Sequence, residues 1–403
     1  MKKWYKLDAF AKTYSSIISE GRSTCFRLSA VLKEDVEKSI LSKAADNLLE
    51  KYDFFNVELK KGVFWNYLQQ KNKKFSVSRE RTYPCTYVKK DNPLRILYYK
   101  KKISIEIAHF LTDGMGTINF LRDLLREYLI LKYDLPEKKC DDEKPGYENL
   151  YEKYMKKVSK EVTIKKAFHF PYKVLEKGYY FVTTGEMELS EIKSVAKKYG
   201  TSTGKFLLSV YFKTIIDTFN ASKESIVIGV PVDLRKIFNN ETNRNFFINI
   251  TPSIDPTLGE YTLEEIIKYV NTYFEIKINQ KEFYKSIYKA MKPSRNKLIG
   301  VVPYFVKRLF LPFIFDYYGE RGYTSGFSNL GDFKIENELV KYIEKIEFIP
   351  PPSKRCKAKI GMIGFNGRVY LTFGNLSSNN ELEMNYFRYL RKLGIKSKII
   401  SNY

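Results

Sequence analysis

Two stretches of this chain, far apart in the sequence, follow the same plan. Residues 26–40 (FRLSAVLKEDVEKSI) and 181–196 (FVTTGEMELSEIKSVA) each pass from an apolar, strand-like run into a charged stretch with helical spacing. A repeated unit favours two lobes of similar plan over two unrelated domains, and 403 residues suit two lobes of roughly 200. With 44% hydrophobic and 16% aromatic residues the chain can bury a large core, which excludes intrinsic disorder.

The first unit predicts a strand at Cys25–Leu32 and a helix over Lys33–Tyr52. There Val36, Ile40, Ala44, Leu48 and Tyr52 recur at four-residue steps and form one apolar stripe. Strand-like runs resume at Phe55–Leu59 and Ile96–Ile107, the second alternating at Ile103, Ile105 and Ile107, and Gly116–Ile130 reads as a helix. The charged stretch Lys132–Lys177, with its Pro and Gly signals, reads as a crossover. It divides an N-terminal lobe, 1–165, from a C-terminal lobe, 166–403. Beyond it come a strand at Tyr179–Leu189, helices at Ser190–Tyr199 and Phe206–Phe219, and a buried strand at Ser225–Val232.

Seventy Lys and Arg against 46 Asp and Glu leave a net charge of +24. Diffuse Lys reads mostly as solvated surface. The functional reading is a polyanionic partner: a phospholipid face, or a phosphate-bearing ligand such as coenzyme A or a phosphopantetheine carrier. Arg is not clustered and no reading module is present, so nucleic acid is not expected. Four widely spaced cysteines (Cys25, Cys85, Cys140, Cys356) and two histidines exclude a disulfide scaffold and a standard zinc site, and point to the reducing cytoplasm. No metal or permanently bound cofactor is expected, and no phosphate-cradling glycine loop occurs.

The opening MKKWYKLD leads into mixed polar sequence, which is not a secretory signal. Leu298–Phe315 (LIGVVPYFVKRLFLPFIF) approaches a membrane span in length, but Lys307, Arg308, Pro303 and Pro312 interrupt it. It is expected as an irregular helical segment, packed on the second lobe or forming a peripheral membrane lip with Lys307 and Arg308 toward phosphates.

The segment Ile103–Leu121 (ISIEIAHFLTDGMGTINFL) carries the chemistry. A strand delivers His109 at its end, a short turn holds Asp113 and Gly114, and a helix follows. An imidazole fixed there can act as a general base if one ring nitrogen is held and the other faces a substrate. Gly114 would permit close backbone approach or a positive φ. His169, in AFHFPYK, has no catalytic spacing and reads as structural.

AHFLTDG resembles the HxxxDG signature of the chloramphenicol acetyltransferase-like superfamily, which includes condensation domains, plant BAHD acyltransferases and alcohol acetyltransferases. Val230–Asp255 resembles the family's second-lobe segment with its P-V-D-L-R strand end and Asn-rich stretch, and Ser328–Gly331 (SNLG) resembles a motif of the alcohol acetyltransferase branch. Ala108 stands where condensation domains carry a first histidine, and a DFGWG motif is missing, so the stand-alone alcohol acetyltransferase-like branch fits best.

The resemblance implies an α/β (α+β) fold of two similar lobes, each a mixed sheet with flanking helices, and a tunnel at the lobe interface. It implies an acyltransferase moving an acyl group from acyl-CoA or an acyl carrier protein to an alcohol or amine, with His109 as base, in a monomer. It implies a structural Asp113 paired with an arginine, for which Arg235 is the candidate, and places Asn249, Thr251, Ser328 and Asn329 near the substrate as possible oxyanion donors. The competing class is a non-catalytic protein of the same fold whose basic surface recruits an acidic carrier protein or a membrane.

Overall fold

The computed structural model describes residues 3–18, 23–71, 73–86, 90–136, 146–156, 166–219, 223–295, 300–315 and 319–403. In chain order the strands of the first half are β1 (Trp4–Lys6), β2 (Cys25–Leu32), β3 (Val57–Lys60), β4 (Tyr67–Gln70), β5 (Val77–Arg79), β6 (Leu94–Tyr99) and β7 (Lys102–Ala108). Those of the second half are β8 (Phe181–Glu188), β9 (Ile226–Asp233), β10 (Phe247–Ile250), β11 (Ser253–Ile254), β12 (Ser325–Asp332), β13 (Ile343–Ile349), β14 (Ala358–Phe365), β15 (Arg368–Asn375) and β16 (Lys398–Ser401).

Two mixed sheets organise the molecule. The first runs β13-β2-β7-β6-β5, and the second β10-β9-β12-β14-β15-β8-β16 with β11 also on β9. A small sheet, β1-β4-β3, accompanies the first. Each main sheet has its own apolar core. One gathers β2, β7 and the helices Lys38–Asn47 and Gly114–Tyr133; the other gathers β9, β14 and the helices Thr203–Thr218, Leu263–Lys277 and Glu381–Lys392. This is the two-lobed, mixed α/β architecture expected. Residues 343–349, from the second half of the sequence, pair antiparallel with β2 and so complete the first lobe's sheet.

Where the elements differ from expectation, local chemistry explains it. The run Ile96–Ile107 is a hairpin, because Lys100 takes a left-handed φ of 47° and turns the chain between β6 and β7. The Lys33–Tyr52 helix is confined to Lys38–Asn47, because residue 36 instead donates its N–H to the Lys100 carbonyl at 2.9 Å. Ala44, Leu48 and Tyr52 of the expected stripe are buried. The Lys132–Lys177 crossover lies partly outside the described residues.

β7 is buried along nearly its whole length. Its interior carboxylate, Glu106, is held by Arg27 Nε at 2.9 Å, by Arg95, and by the Cys85 N–H at 2.7 Å. Burial would raise the Glu106 pKa, but the two guanidiniums outweigh it and hold the group below the usual carboxylate range. Buried charges inside this sheet are tolerable because Glu106 is paired with Arg27 and Arg95 and Arg27 bonds Glu80 as well. The result is a strand fixed on both edges, and it ends at His109.

Candidate active site

His109 follows β7 directly, and its N–H donates to the Thr24 carbonyl at 3.0 Å, which ties the turn to the start of β2. Four residues on, Asp113 caps the Gly114–Tyr133 helix: Oδ1 accepts the N–H groups of Met115 at 3.1 Å and Gly116 at 3.2 Å. A carboxylate at a helix N-terminus satisfies otherwise orphaned donors and the helix dipole together.

The same carboxylate reaches the second lobe. Arg235 Nη2 donates to Asp113 Oδ1 at 3.0 Å and Oδ2 at 2.9 Å, and the Phe246 N–H donates to Oδ2 at 2.8 Å. Arg235 spends its other donors on Asp233 at 2.7 Å and on the carbonyls of Thr242 and Arg244 at 2.8 and 2.7 Å. Both side chains are buried. The Asp113–Arg235 pair therefore joins the HxxxDG turn to residues 242–246.

Gly114 does not have a positive φ; it serves close approach, since a Cβ there would lie 2.4 Å from Leu330 Cδ2 of β12. Gly116 is held more tightly still, its Cβ position being 2.5 Å from the Asn243 carbonyl oxygen. The requirement at Gly116 is a backbone contact that the motif does not advertise.

The second-lobe segment also supplies Asn245, which the sequence did not single out. Its Oδ1 lies 3.2 Å from His109 Nδ1, while its Nδ2 lies 3.1 Å from the His109 carbonyl and 3.3 Å from Asp8 Oδ2. Turning the amide over would set its oxygen against a carbonyl and a carboxyl, so the network fixes Oδ1 as acceptor. His109 then carries its proton on Nδ1 and its lone pair on Nε2. Among the described residues nothing hydrogen-bonds to Nε2.

Aromatic rings enclose the imidazole. Tyr14 stacks on it at 4.7 Å between centroids, Phe26 meets it edge-on at 5.1 Å, and Phe247 lies at 5.3 Å. Burial pushes the His109 pKa below the usual histidine value, against a smaller upward pull from Asp113. The residue as a whole is only half-buried.

Of the other candidates, Asn249 lies two residues after Phe247 on β10, hence on the same sheet face. Ser328 lies on β12 two residues before Leu330, which packs on Gly114, and the strand's register shifts after Asn329. Thr251 is tied by its N–H to Tyr273 Oη at 3.2 Å, and exposed Asn329 folds back on the Gly331 N–H at 2.8 Å. None of the four hydrogen-bonds to His109 among the described residues. His169 lies apart, in a stretch held along the second lobe by N–H groups of Ala167 and Phe168 on the carbonyls of Arg321 and Ser225. Cys25, Cys85 and Cys356 are buried free thiols, and Cys140 lies outside the described residues. No group of three or more metal-ligating side chains occurs among the described residues.

The Leu298–Phe315 segment corrects one expectation. Lys307 faces inward: Nζ donates to the carbonyls of Phe64 at 3.0 Å and Gly300 at 3.2 Å and lies 4.0 Å over the Trp65 ring. Residues 304–315 form a helix with Pro312 in its interior, and it packs on the Ala9–Ile17 helix rather than only on the second lobe; residues 298–299 lie outside the described residues.

No model of a known protein family matches the chain, and no curated protein matches it in sequence. Solved structures match its fold over nearly its whole length. Polyketide synthase associated protein 5 from Mycobacterium tuberculosis is 12% identical with a TM-score of 0.64 and 96% of each chain covered. A mutant starter condensation domain of rhizomide synthetase, in complex with C8-CoA, is 10% identical with a TM-score of 0.66, covering 97% of this chain and 94% of that one. The first condensation domain of the CDA synthetase is 10% identical with a TM-score of 0.62, covering 97% and 95%. The chain thus has the two-lobed fold of the condensation domains.

Proposed function

We propose that this protein is an acyltransferase of the alcohol acetyltransferase-like kind, transferring an acyl group from acyl-CoA or a carrier-bound phosphopantetheinyl thioester to a hydroxyl or amine. The observation that carries the reading is the fixed tautomer of His109: Nδ1 faces Asn245 Oδ1, and among the described residues nothing hydrogen-bonds to Nε2. An imidazole kept neutral by burial is a competent base at neutral pH.

In the proposed step, Nε2 takes the proton from the acceptor O–H or N–H as that heteroatom bonds to the thioester carbonyl carbon. The resulting oxyanion collapses, the C–S bond breaks, and the departing thiolate receives the proton back from Nε2. The products are an ester or amide and a free thiol. Such base catalysis contributes about 10² to 10⁴-fold. Asn249 and Ser328 are the oxyanion donors this reading favours, each lying two residues from one that packs at the turn, Phe247 beside the imidazole and Leu330 against Gly114; losing a true donor lowers kcat about 10² to 10³-fold. The solved relative in complex with C8-CoA supports a thioester donor.

The test is thiol release from a panel of acyl-CoA and acyl carrier thioesters with alcohol and amine acceptors. Acceptor-dependent release, lost in His109→Ala with an unchanged melting temperature, supports the reading. Absence of release across the panel, or release indifferent to His109, favours a non-catalytic binding protein.

A further inference from the structure

The helix Tyr304–Phe315 is apolar on the side that faces solvent as well as on the side that packs. Phe305, Leu309 and Phe313, one helical turn apart, are 70%, 61% and 73% exposed, and this spacing sets them in one projecting row. The helix begins on the loop 61–66, where the Tyr304 N–H donates to the Val63 carbonyl at 2.7 Å, and Val63 and Phe64 are themselves exposed. Contiguous apolar surface of this kind marks an interaction site on a soluble fold.

Its margin is basic. Arg308 is exposed on the helix, Lys61 is exposed on the loop, and Lys90 lies close enough to both that burial and their positive charges lower its pKa. Neither residues 60–66 nor residues 300–315 include an acidic residue. A helix of 12 residues spans about 18 Å, well short of the roughly 30 Å hydrocarbon core. No described helix is long and apolar enough to cross a membrane. A convex row of Phe and Leu with cations beside it matches an anionic bilayer surface, with rings in the acyl boundary and cations at the phosphates.

We infer that the Tyr304–Phe315 helix and the 61–66 loop dock this protein on anionic lipid bilayers, the row Phe305, Leu309 and Phe313 entering the interface. Lys307 contributes by structure rather than by lipid contact, since its inward ammonium clamps helix to loop. The surface also lies one helix from the imidazole: Asn66 bridges Tyr304 Oη at 2.9 Å to Ser15 Oγ at 3.2 Å, and the same Ala9–Ile17 helix carries Tyr14 over His109.

The test is flotation of the full chain with phosphatidylcholine vesicles containing or lacking phosphatidylglycerol, which needs no turnover and so stands apart from the acyl-transfer reading. Expected are binding to phosphatidylglycerol vesicles that weakens with salt, and loss of partitioning of at least about tenfold in Phe305→Ser/Leu309→Ser/Phe313→Ser and in Lys61→Glu/Arg308→Glu. Circular dichroism monitors folding, and the charge variant decides the matter should the serine variant misfold. No flotation at low salt, or flotation unchanged in folded variants, overturns the proposal. Self-association in sedimentation without flotation also overturns it, assigning the face to a second copy of the chain.

Discussion

Asn245 Oδ1 stands 3.2 Å from His109 Nδ1, while the same amide's nitrogen is engaged by the His109 carbonyl and by Asp8. One side chain of the second lobe thereby sets which nitrogen of a first-lobe histidine carries the proton. Asp8 is itself anchored, accepting the Ala11 N–H at 2.8 Å as the cap of the Ala9–Ile17 helix.

Asn245→Ala is expected to lower kcat by about 10 to 100-fold, in the range seen when a partner that orients a histidine is removed, with little change in KM. Asn245→Asp separates positioning from mere packing. A carboxylate at that distance favours the imidazolium, so the acid limb of the rate profile moves to higher pH. A pH–rate series on both variants checks this, and an unmoved limb in Asn245→Asp rules the contact out as functional.

The pH dependence of the parent protein follows from burial. Burial lowers the folded pKa of His109 below the usual value, so the acid limb of kcat/KM lies at lower pH than that of an exposed histidine. The stability sign is the same. Between the unfolded value, about 6.5, and the lower folded one, the unfolded chain binds a proton that the folded chain does not, and stability declines as pH falls. His169 is shifted in the same direction by burial, so His109→Gln removes only part of that decline in urea titrations from pH 7 to 5.

How much of this site was readable in sequence depends on how far apart its parts lie. His109, Asp113 and Gly114 occupy six consecutive positions whose strand-turn-helix context is itself local, so alternation and motif spacing reveal them. Arg235 follows from the P-V-D-L-R resemblance. Asn245 and Asp8 have no local signature: they are separated from their partners by 136 and 237 residues, and only lobe docking brings them together. The Asn-rich stretch drew attention to Asn249, yet Asn245, just before β10, is the one that reaches the imidazole. β13 was hidden for a similar reason, because its pairing with β2 spans nearly the whole chain.

Asp113→Ala is expected to cost about 2 to 4 kcal/mol, because it removes one of the two carboxylates paired with the buried Arg235 guanidinium, Asp233 remaining, and also uncaps the helix. His109→Ala should leave stability near that of the parent. Urea denaturation of Asp113→Ala, Arg235→Ala and the double variant forms a cycle, in which the double variant falls well short of the sum of the singles. Additive losses would separate the two residues energetically despite their contact.

The two glycines of the turn respond differently to a single methyl group. At Gly114 the obstacle is Leu330 Cδ2, the end of a flexible side chain, so Gly114→Ala needs only a rotamer change and is relieved by Leu330→Ala. At Gly116 the obstacle is the Asn243 carbonyl oxygen, and Thr112 Oγ1, which donates to that same oxygen at 2.5 Å, crowds the position as well. The backbone of 243 cannot retreat without displacing Asn245 from His109. Gly116→Ala should therefore lose about 1 to 3 kcal/mol in urea denaturation and lower kcat more than Gly114→Ala does, with no rescue by Leu330→Ala. Equal effects at the two positions would show that the 242–246 segment yields freely and does not hold the imidazole in place.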